Sequence, residues 1–232
     1  MALYTIADLH LSEGCDKPMD IFGPAWENHS SRLEKAWRAL VGEDDTVVVP
    51  GDISWAMRRD EAVKDFMFIN SLPGRKIIGK GNHDYWWNTL KKLDAFIKSI
   101  GADTISFLFN NAYKADNKVI CGTRGWFPEN VYSEDDEKIA LREAGRLRLS
   151  LEQGRKLAEN GEEIIVFLHY PPYFGGIKCA PVAELLREYN IKRCYYGHLH
   201  GAPEHLLESS IYKTELHLIS ADRLEFTPLL IK

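Results

Sequence analysis

Lys76-Ile77-Ile78-Gly79-Lys80-Gly81-Asn82-His83-Asp84 sets how the rest of the chain is read. A short apolar run passes through glycine into side chains that bind metals and move protons. The same order of events recurs: the run 3–7 ends in Asp8-Leu9-His10, 46–49 in Gly51-Asp52, 164–168 in His169, and 194–196 in Gly197-His198-Leu199-His200. A further run, 118–121, leads into Gly122-Thr123-Arg124. Runs this short and this continuously apolar are expected of strands buried on both faces. Five of the eight histidines therefore follow directly on a buried strand. In open α/β sheets ligands bind beyond the carboxyl ends of the strands, so these groups are expected to share one rim.

Helical patterns lie between the runs. Ser31 and Glu34 have capping-box spacing, and Leu33, Ala36, Trp37, Leu40 and Val41 keep the helical period. Leu90, Leu93, Phe96, Ile97 and Ile100 repeat it. After Ser133 comes Glu134-Asp135-Asp136-Glu137, with basic residues further on and Gly161 as a stop, a gradient that complements a helix dipole. Residues 211–219 and 224–231 alternate about Ala221-Asp222 and predict a terminal antiparallel hairpin. The expectation is a layered α/β sandwich of mixed sheets between helices, one domain over residues 1–232.

Composition narrows the function. With 232 residues, 45% apolar and 27% charged, the chain is ordinarily globular. Its 29 basic and 34 acidic residues give a net charge of −5, unsuited to coating nucleic acid or an anionic membrane. No apolar run approaches the ~20 residues that span a bilayer. No basic region or cleavage site precedes the first strand-like stretch, so no secretory signal is read. Cys15, Cys121, Cys179 and Cys194 lie far apart without a CxxC pair, which excludes a zinc ribbon and predicts free thiols in a cytoplasmic protein. Cys121 and Cys194 sit inside apolar runs and read as core thiols.

The donors suggest a metal centre. In an extended segment residues i and i+2 point to one side, so Asp8 with His10, and His198 with His200, are each expected to present two donors together. Carboxylate, imidazole and carboxamide suit zinc, manganese or iron. Two aspartates, four or five histidines and an asparagine exceed the needs of one ion and fit two, with a carboxylate between them. Glycines 51, 81 and 197 permit sharp turns and close backbone approach.

The ordered series Asp-x-His, Gly-Asp, Gly-Asn-His-Asp, His and Gly-His-x-His, from Asp8 to His200, resembles the calcineurin-like metallophosphoesterase superfamily. The resemblance implies a four-layer αββα sandwich and two divalent ions. One would be held by Asp8, His10, Asp52 and His200, the other by Asp52, Asn82, His169 and His198. It further implies hydrolysis of a phosphate monoester or diester by a hydroxide between the ions. His83, a non-ligand facing the substrate, would be the general acid, and Asp84 is the nearest group to fix its tautomer. The sequence departs from the common Gly-Asp-x-x-Asp-Arg-Gly continuation: Trp55 and Ala56 stand where the aspartate and arginine would be. That makes the protein-phosphatase branch a poor match.

The expected partner is a small phosphorylated molecule, with Arg124 and Asn82 as candidate substrate contacts; a structural salt bridge is the other reading of Arg124. Rival functions are a cyclic-nucleotide phosphodiesterase, a nuclease, and a non-catalytic module that keeps the fold. Trp55, Tyr85, Trp86, Trp87, Trp126, Phe127, Tyr173 and Phe174 read as packing against the sheet edge, with a stacking rim for a nucleobase as the alternative. His29, His205 and His217 read as structural, and Arg58 and Arg59 as a solvated helix start. Loops 110–117 and 125–133 are candidates for a cap.

Overall fold

Val47, Val48 and Val49 are consecutive and fully buried, yet they serve two different cores. Val47 and Val49 pack with Leu33, Trp37, Phe66, Leu93 and Phe96, whereas Val48 packs with Ile77, Ile120, Ile165 and Phe167. Only a strand covered on both faces behaves in this way.

The computed structural model describes residues 1–128 and 133–232. In chain order its elements are β1 (Leu3–Thr5), α1 (His29–Leu40), β2 (Thr46–Pro50), α2 (Val63–Ser71), β3 (Arg75–Gly79), α3 (Leu90–Ile100), β4 (Ile105–Phe107), β5 (Ala112–Ala115) and β6 (Lys118–Thr123). There follow α4 (Glu134–Leu157), β7 (Glu163–Leu168), β8 (Tyr173–Phe174), β9 (Ile177–Lys178), α5 (Ala180–Glu188), β10 (Arg193–Tyr196), β11 (Ser210–Ile211), β12 (Thr214–Leu218) and β13 (Leu229–Ile231). One sheet runs β13-β1-β2-β3-β4 and the other β11-β12-β10-β7-β6-β5. Both are mixed, with parallel centres; β13 is an antiparallel edge of the first sheet, whose other edge β4 is parallel, and β11 and β5 are antiparallel edges of the second.

The strand period of two builds the layers. Val166, Leu168, Cys194 and Tyr196 face α4 and α5, whose Leu147, Leu151, Val182 and Leu186 complete that core. Ile165, Phe167 and Tyr195 face the first sheet and meet Leu3, Val48 and Ile77. With α1, α2 and α3 on the far side, the order is helices, sheet, sheet, helices. This is the αββα sandwich that the motifs implied. Each buried valine, leucine or isoleucine contributes ~1.5–3 kcal/mol, so three stacked cores hold the sheets in one fixed register.

Two local expectations are corrected. The segments 211–219 and 224–231 do not pair with each other: β12 forms a short antiparallel hairpin with β11 and joins β10 in the second sheet, while β13 crosses to pair antiparallel with β1 in the first. Alternation gives each strand its two faces but leaves its neighbour undecided. Likewise Ser31 caps nothing, because α1 already begins at His29 behind the left-handed Asn28. His29, the first residue of the helix, packs edge-on against Trp26 with ring centroids 5.6 Å apart. At α4 a capping box does form: Ser133 Oγ accepts from the Asp136 N–H at 3.1 Å, and the Asp136 carboxylate accepts from the Ser133 N–H at 2.9 Å. The helix ends at Leu157, ahead of Gly161.

Cys15, Cys121 and Cys194 are free thiols, and Cys121, Cys179 and Cys194 are buried. Among the described residues no helix is long and apolar enough to cross a membrane. Of the loop 125–133, residues 129–132 lie outside the described residues.

Candidate metal centre

Where the parallel strands end, the backbone turns left-handed at residues other than glycine. Asp8 has φ 60°, His10 46°, Asp52 50° and His198 71°. Such conformations cost roughly 1–3 kcal/mol each and persist only where the surroundings hold them; aspartate and histidine tolerate them better than most. The expected reason for convergence, an extended i, i+2 pair, is thus replaced by a series of strained turns. Cross-loop bonds fix them. The Asp8 N–H donates to the Gly51 carbonyl at 3.1 Å, His10 to Asp52 at 3.0 Å, and Gly197 to His169 at 3.1 Å. The His198 N–H donates to the Asp8 carboxylate at 2.9 Å and so ties the two sheets together at the site.

The glycines make room for this. A Cβ on Gly197 would fall on the Asp8 carboxylate and 2.7 Å from the Ala7 Cβ. One on Gly51, which has φ 108°, would lie 2.7 Å from both Gly81 and His169 Nδ1.

On this frame the seven expected ligands meet. His10 Nε2 and His200 Nε2 face each other at 3.1 Å, with Asp8 in the same cluster. Asn82 Oδ1 lies 2.6 Å from His169 Nε2 and 2.9 Å from His198 Nδ1. Asp52 Oδ2 stands between the two sets, 3.8 Å from His10 Nε2 and 3.5 Å from His169 Nε2. The donors fit divalent cations on two grounds. Buried carboxylates and imidazoles converge within ligand reach of one another in two groups, Asp8-His10-His200 and Asp8-Asp52-His169, and the buried ring nitrogens His10 Nδ1 and His169 Nδ1 have no hydrogen-bond partner to tie the rings to the protein instead.

Electrostatics agree with that fit. Burial raises Asp8 to about 6, against the opposing pull of His200. Burial, then the charges of Asp84 and Asp8, carry Asp52 well above the ordinary carboxylate range. Burial and neighbouring histidines hold His10 and His169 well below theirs, so both rings are neutral and free to ligate. Two anions in a dry site favour a bound cation.

Asp222, read from the sequence as part of a turn, belongs to this centre. Its carboxylate accepts from His200 Nδ1 at 2.9 Å and from the Gly201 N–H at 3.2 Å. That bond keeps the proton on Nδ1 and aims the Nε2 lone pair at His10. Burial alone would lower His200, but the bond to Asp222 and the charges of Asp8 and Asp222 carry it above its ordinary value. The available signal was the familiar one, an acidic residue just after an apolar strand.

Asp84 does not touch His83. Its oxygens accept from the backbone N–H groups of Asp52 at 2.9 Å, Ile53 at 2.9 Å and Gly81 at 2.7 Å. It therefore holds the Asp52 and Gly81 loops together, a structural role in place of the expected tautomer-fixing one. The His83 ring instead lies against Trp55, centroids 4.3 Å apart, with its Nδ1 buried and unpartnered. Trp55 also stacks on His10 at 4.9 Å.

Arg124 is directed elsewhere. Its guanidinium pairs with the buried Glu143 at 3.5 Å and lies over Trp126 and Tyr170, so the salt-bridge reading describes it. It does not line the cavity of about 650 Å³ that opens over the metal donors. That cavity is lined by His10, Asp52, His83, His198, His200 and Asp222 together with Met19, Phe22, Ala25, Trp26 and Trp55, the two tryptophans packing directly on the histidines. Of the aromatics singled out in the sequence only Trp55 reaches it; Trp86 is buried among Phe66, Trp87 and Phe107. The wall supplied by residues 19–26 carried no sequence signal.

Comparison with known proteins agrees with this architecture. The Gene 66 protein of Mycobacterium phage L5 is 40% identical over 80 residues, which is 34% of this chain and 37% of that protein, so the match spans little more than a third of the relative. A protein of unknown function from Aquifex aeolicus has a similar fold, with a TM-score of 0.55, 15% identity, and 99% of this chain and 95% of that one covered. Phosphopantetheinyl hydrolase from Mycobacterium tuberculosis is similar with a TM-score of 0.57 and 14% identity, over 99% of this chain and 95% of that one. The profile of the calcineurin-like phosphoesterase family matches residues 1–202. The chain belongs to the calcineurin-like phosphoesterase family.

Proposed function

We propose that this protein hydrolyses a phosphate monoester or diester of a small molecule at a centre of two divalent ions, manganese, zinc or iron. One observation supports the reading: Asp8, His10 and His200 form one close donor group and Asp8, Asp52 and His169 a second, with Asn82 and His198 beside His169 and Asp52 Oδ2 3.8 Å from His10 Nε2. Asp8, His10, Asp52 and His200 would hold one ion, and Asp52, Asn82, His169 and His198 the other. Bound there, the ions would supply charge for the phosphoryl oxygens and an activated water.

The side chains account for the rest. Two ions would bring +4, which offsets the carboxylates Asp8, Asp52, Asp84 and Asp222 around them and would let phosphate bind despite the chain's net −5. Asp222 and the left-handed turns keep the donors in place before substrate arrives. His83 lines the cavity beside Asp52 Oδ1, which accepts its backbone N–H at 2.8 Å. From there its ring passes a proton to the departing oxygen, a contribution of typically ~10²–10⁴-fold. Trp55, in contact with the ring, sets its orientation where an aspartate is lacking. The same charge and the lack of a basic stripe favour a small substrate over nucleic acid.

The test is elemental analysis of the purified, reconstituted protein together with hydrolysis of chromogenic monoesters and bis-esters under Mn²⁺, Zn²⁺, Fe²⁺ and Mg²⁺. Phosphopantetheine esters belong in the same screen. Well under one ion per chain, or no turnover with any metal, would remove the proposal. His83→Asn should retain its metal and slow alkyl esters far more than esters of an acidic phenol. Equal loss on both would take the acid role from His83.

A further inference from the structure

Resting on that phosphoesterase reading, we infer that the part of the substrate beyond the phosphoryl group is a flat aromatic body, and that Phe22 selects for it. The cavity over the metal donors is lined by two unlike kinds of side chain, which interleave where Trp55 and Trp26 pack on His10, His83 and His200. Every polar side chain that lines it is a metal-type donor, His83 or the Asp222 that supports His200. The remaining lining side chains, Met19, Phe22, Ala25, Trp26 and Trp55, carry no charge and no hydroxyl of their own; the nearest charge is the Lys17 ammonium, over the Trp55 ring at 4.9 Å from its centroid. Even the Trp55 indole N–H is taken, donating to Met19 Sδ at 2.9 Å.

A ligand that reaches away from the phosphoryl end therefore meets rings and a thioether. Hydroxyl-rich groups such as sugars would lose water there without gaining partners. Rings gain: the Phe22 and Trp55 planes lie within 15° of each other with centroids 6.5 Å apart, and Trp26 stands edge-on to His200 at 5.3 Å. Of Phe22, Trp26 and Trp55, Phe22 is the exposed one, and it gives a flat ligand ring a face to pack on.

Phe22 itself is the telling residue. It is 63% exposed at the cavity mouth beside Ile21, which is 72% exposed. Such a ring adds little to the fold, and covering it with an apolar ligand is favourable. It sits on the single turn Met19–Phe22, which Gly23, with φ 123° and open space around it, joins to Pro24–Trp26.

The experiment uses non-hydrolysable probes, so that binding is read apart from turnover. Calorimetric titration of the Mn²⁺-loaded full chain with benzylphosphonate and methylphosphonate should show the benzyl compound binding about tenfold or more tightly, the order expected for one ring buried against aromatic partners. Phe22→Ala should bring the two affinities close together with metal content retained, and Phe22→Tyr should keep most of the preference. Equal affinities in the unmodified protein, or a preference that survives Phe22→Ala, overturns the inference and leaves the metal-centre reading intact. Binding of neither compound overturns both.

Discussion

Replacing Asp84 by asparagine separates a structural carboxylate from a catalytic one. The carboxylate accepts three backbone N–H bonds, two on Oδ2 from Asp52 and Gly81 and one on Oδ1 from Ile53. An amide of the same shape can keep its oxygen on the first pair. Those bonds then lose their ionic character, and charge-assisted bonds are roughly twice as strong as neutral ones. Its NH₂ must face the Ile53 N–H, leaving a buried donor unpaired at ~1–3 kcal/mol. The sum is about 2–4 kcal/mol. Removal of a negative charge next to Asp52 works the other way, so the measurement belongs with Mn²⁺ bound, where the cations already offset that repulsion. For a chain of this size 1 kcal/mol moves Tm by roughly 2–4 °C. Asp84→Asn should therefore melt about 6–12 °C below the parent near the middle of that range. The assay is thermal unfolding by circular dichroism at pH 7.5, run beside hydrolysis of an alkyl and a nitrophenyl phosphate. Loss of rate should be similar for both esters, in contrast to His83→Asn. An unchanged Tm with a leaving-group-dependent loss would refute the structural assignment and return Asp84 to the His83 tautomer.

Four further outcomes follow from the geometry. Asp222→Asn should weaken metal binding ~10–100-fold, the usual effect of losing a carboxylate behind a ligating histidine, with little change in Tm of the metal-free protein. Metal binding should weaken with acid: Asp8, raised to about 6 by burial, must be ionised to ligate, so below that pH each unit costs about tenfold and the Mn²⁺ Kd at pH 5 should exceed that at pH 7.5 by tenfold or more. An affinity flat across that range would exclude Asp8 as a ligand. Mn²⁺ at about a hundred times its Kd should raise Tm by roughly 5–11 °C, and chelation should reverse it, since ligand at that excess stabilises by ~2.7 kcal/mol. In the native state a thiol reagent should titrate Cys15 alone; fast reaction of Cys121 or Cys194, whose thiols burial holds at or above about 12, would contradict the core packing.

Particular residues show what the sequence could and could not carry. The six main strands were legible because a segment such as 47–49 is apolar at consecutive positions, and only burial on both faces accounts for that. His169 and Gly197-His198-Leu199-His200 were legible because polar donors directly after such segments have few other reasons to be there. Asp84 was misassigned since adjacency to His83 says nothing of direction: the chain turns between them, and the carboxylate points back into the loops. Arg124 follows a strand at the same rim, but β6 lies beyond β7, away from the metal donors, and a buried Glu143 takes its charge.

The sequence by itself determined the inventory: which strands are buried, where they end, and which donors stand at those ends. Each of these depends on chemistry within a few consecutive residues. Only the tertiary structure decided how the donors meet, because that depends on left-handed φ values at Asp8, His10, Asp52 and His198, and on two sheets packed so that Asp8 reaches the His198 amide. It also brought in Asp222, which is distant in sequence from the His200 it orients, and the wall around Phe22, whose role comes from the surface it faces. Side-chain direction and long-range packing are collective properties of the folded chain, and no local pattern encodes them.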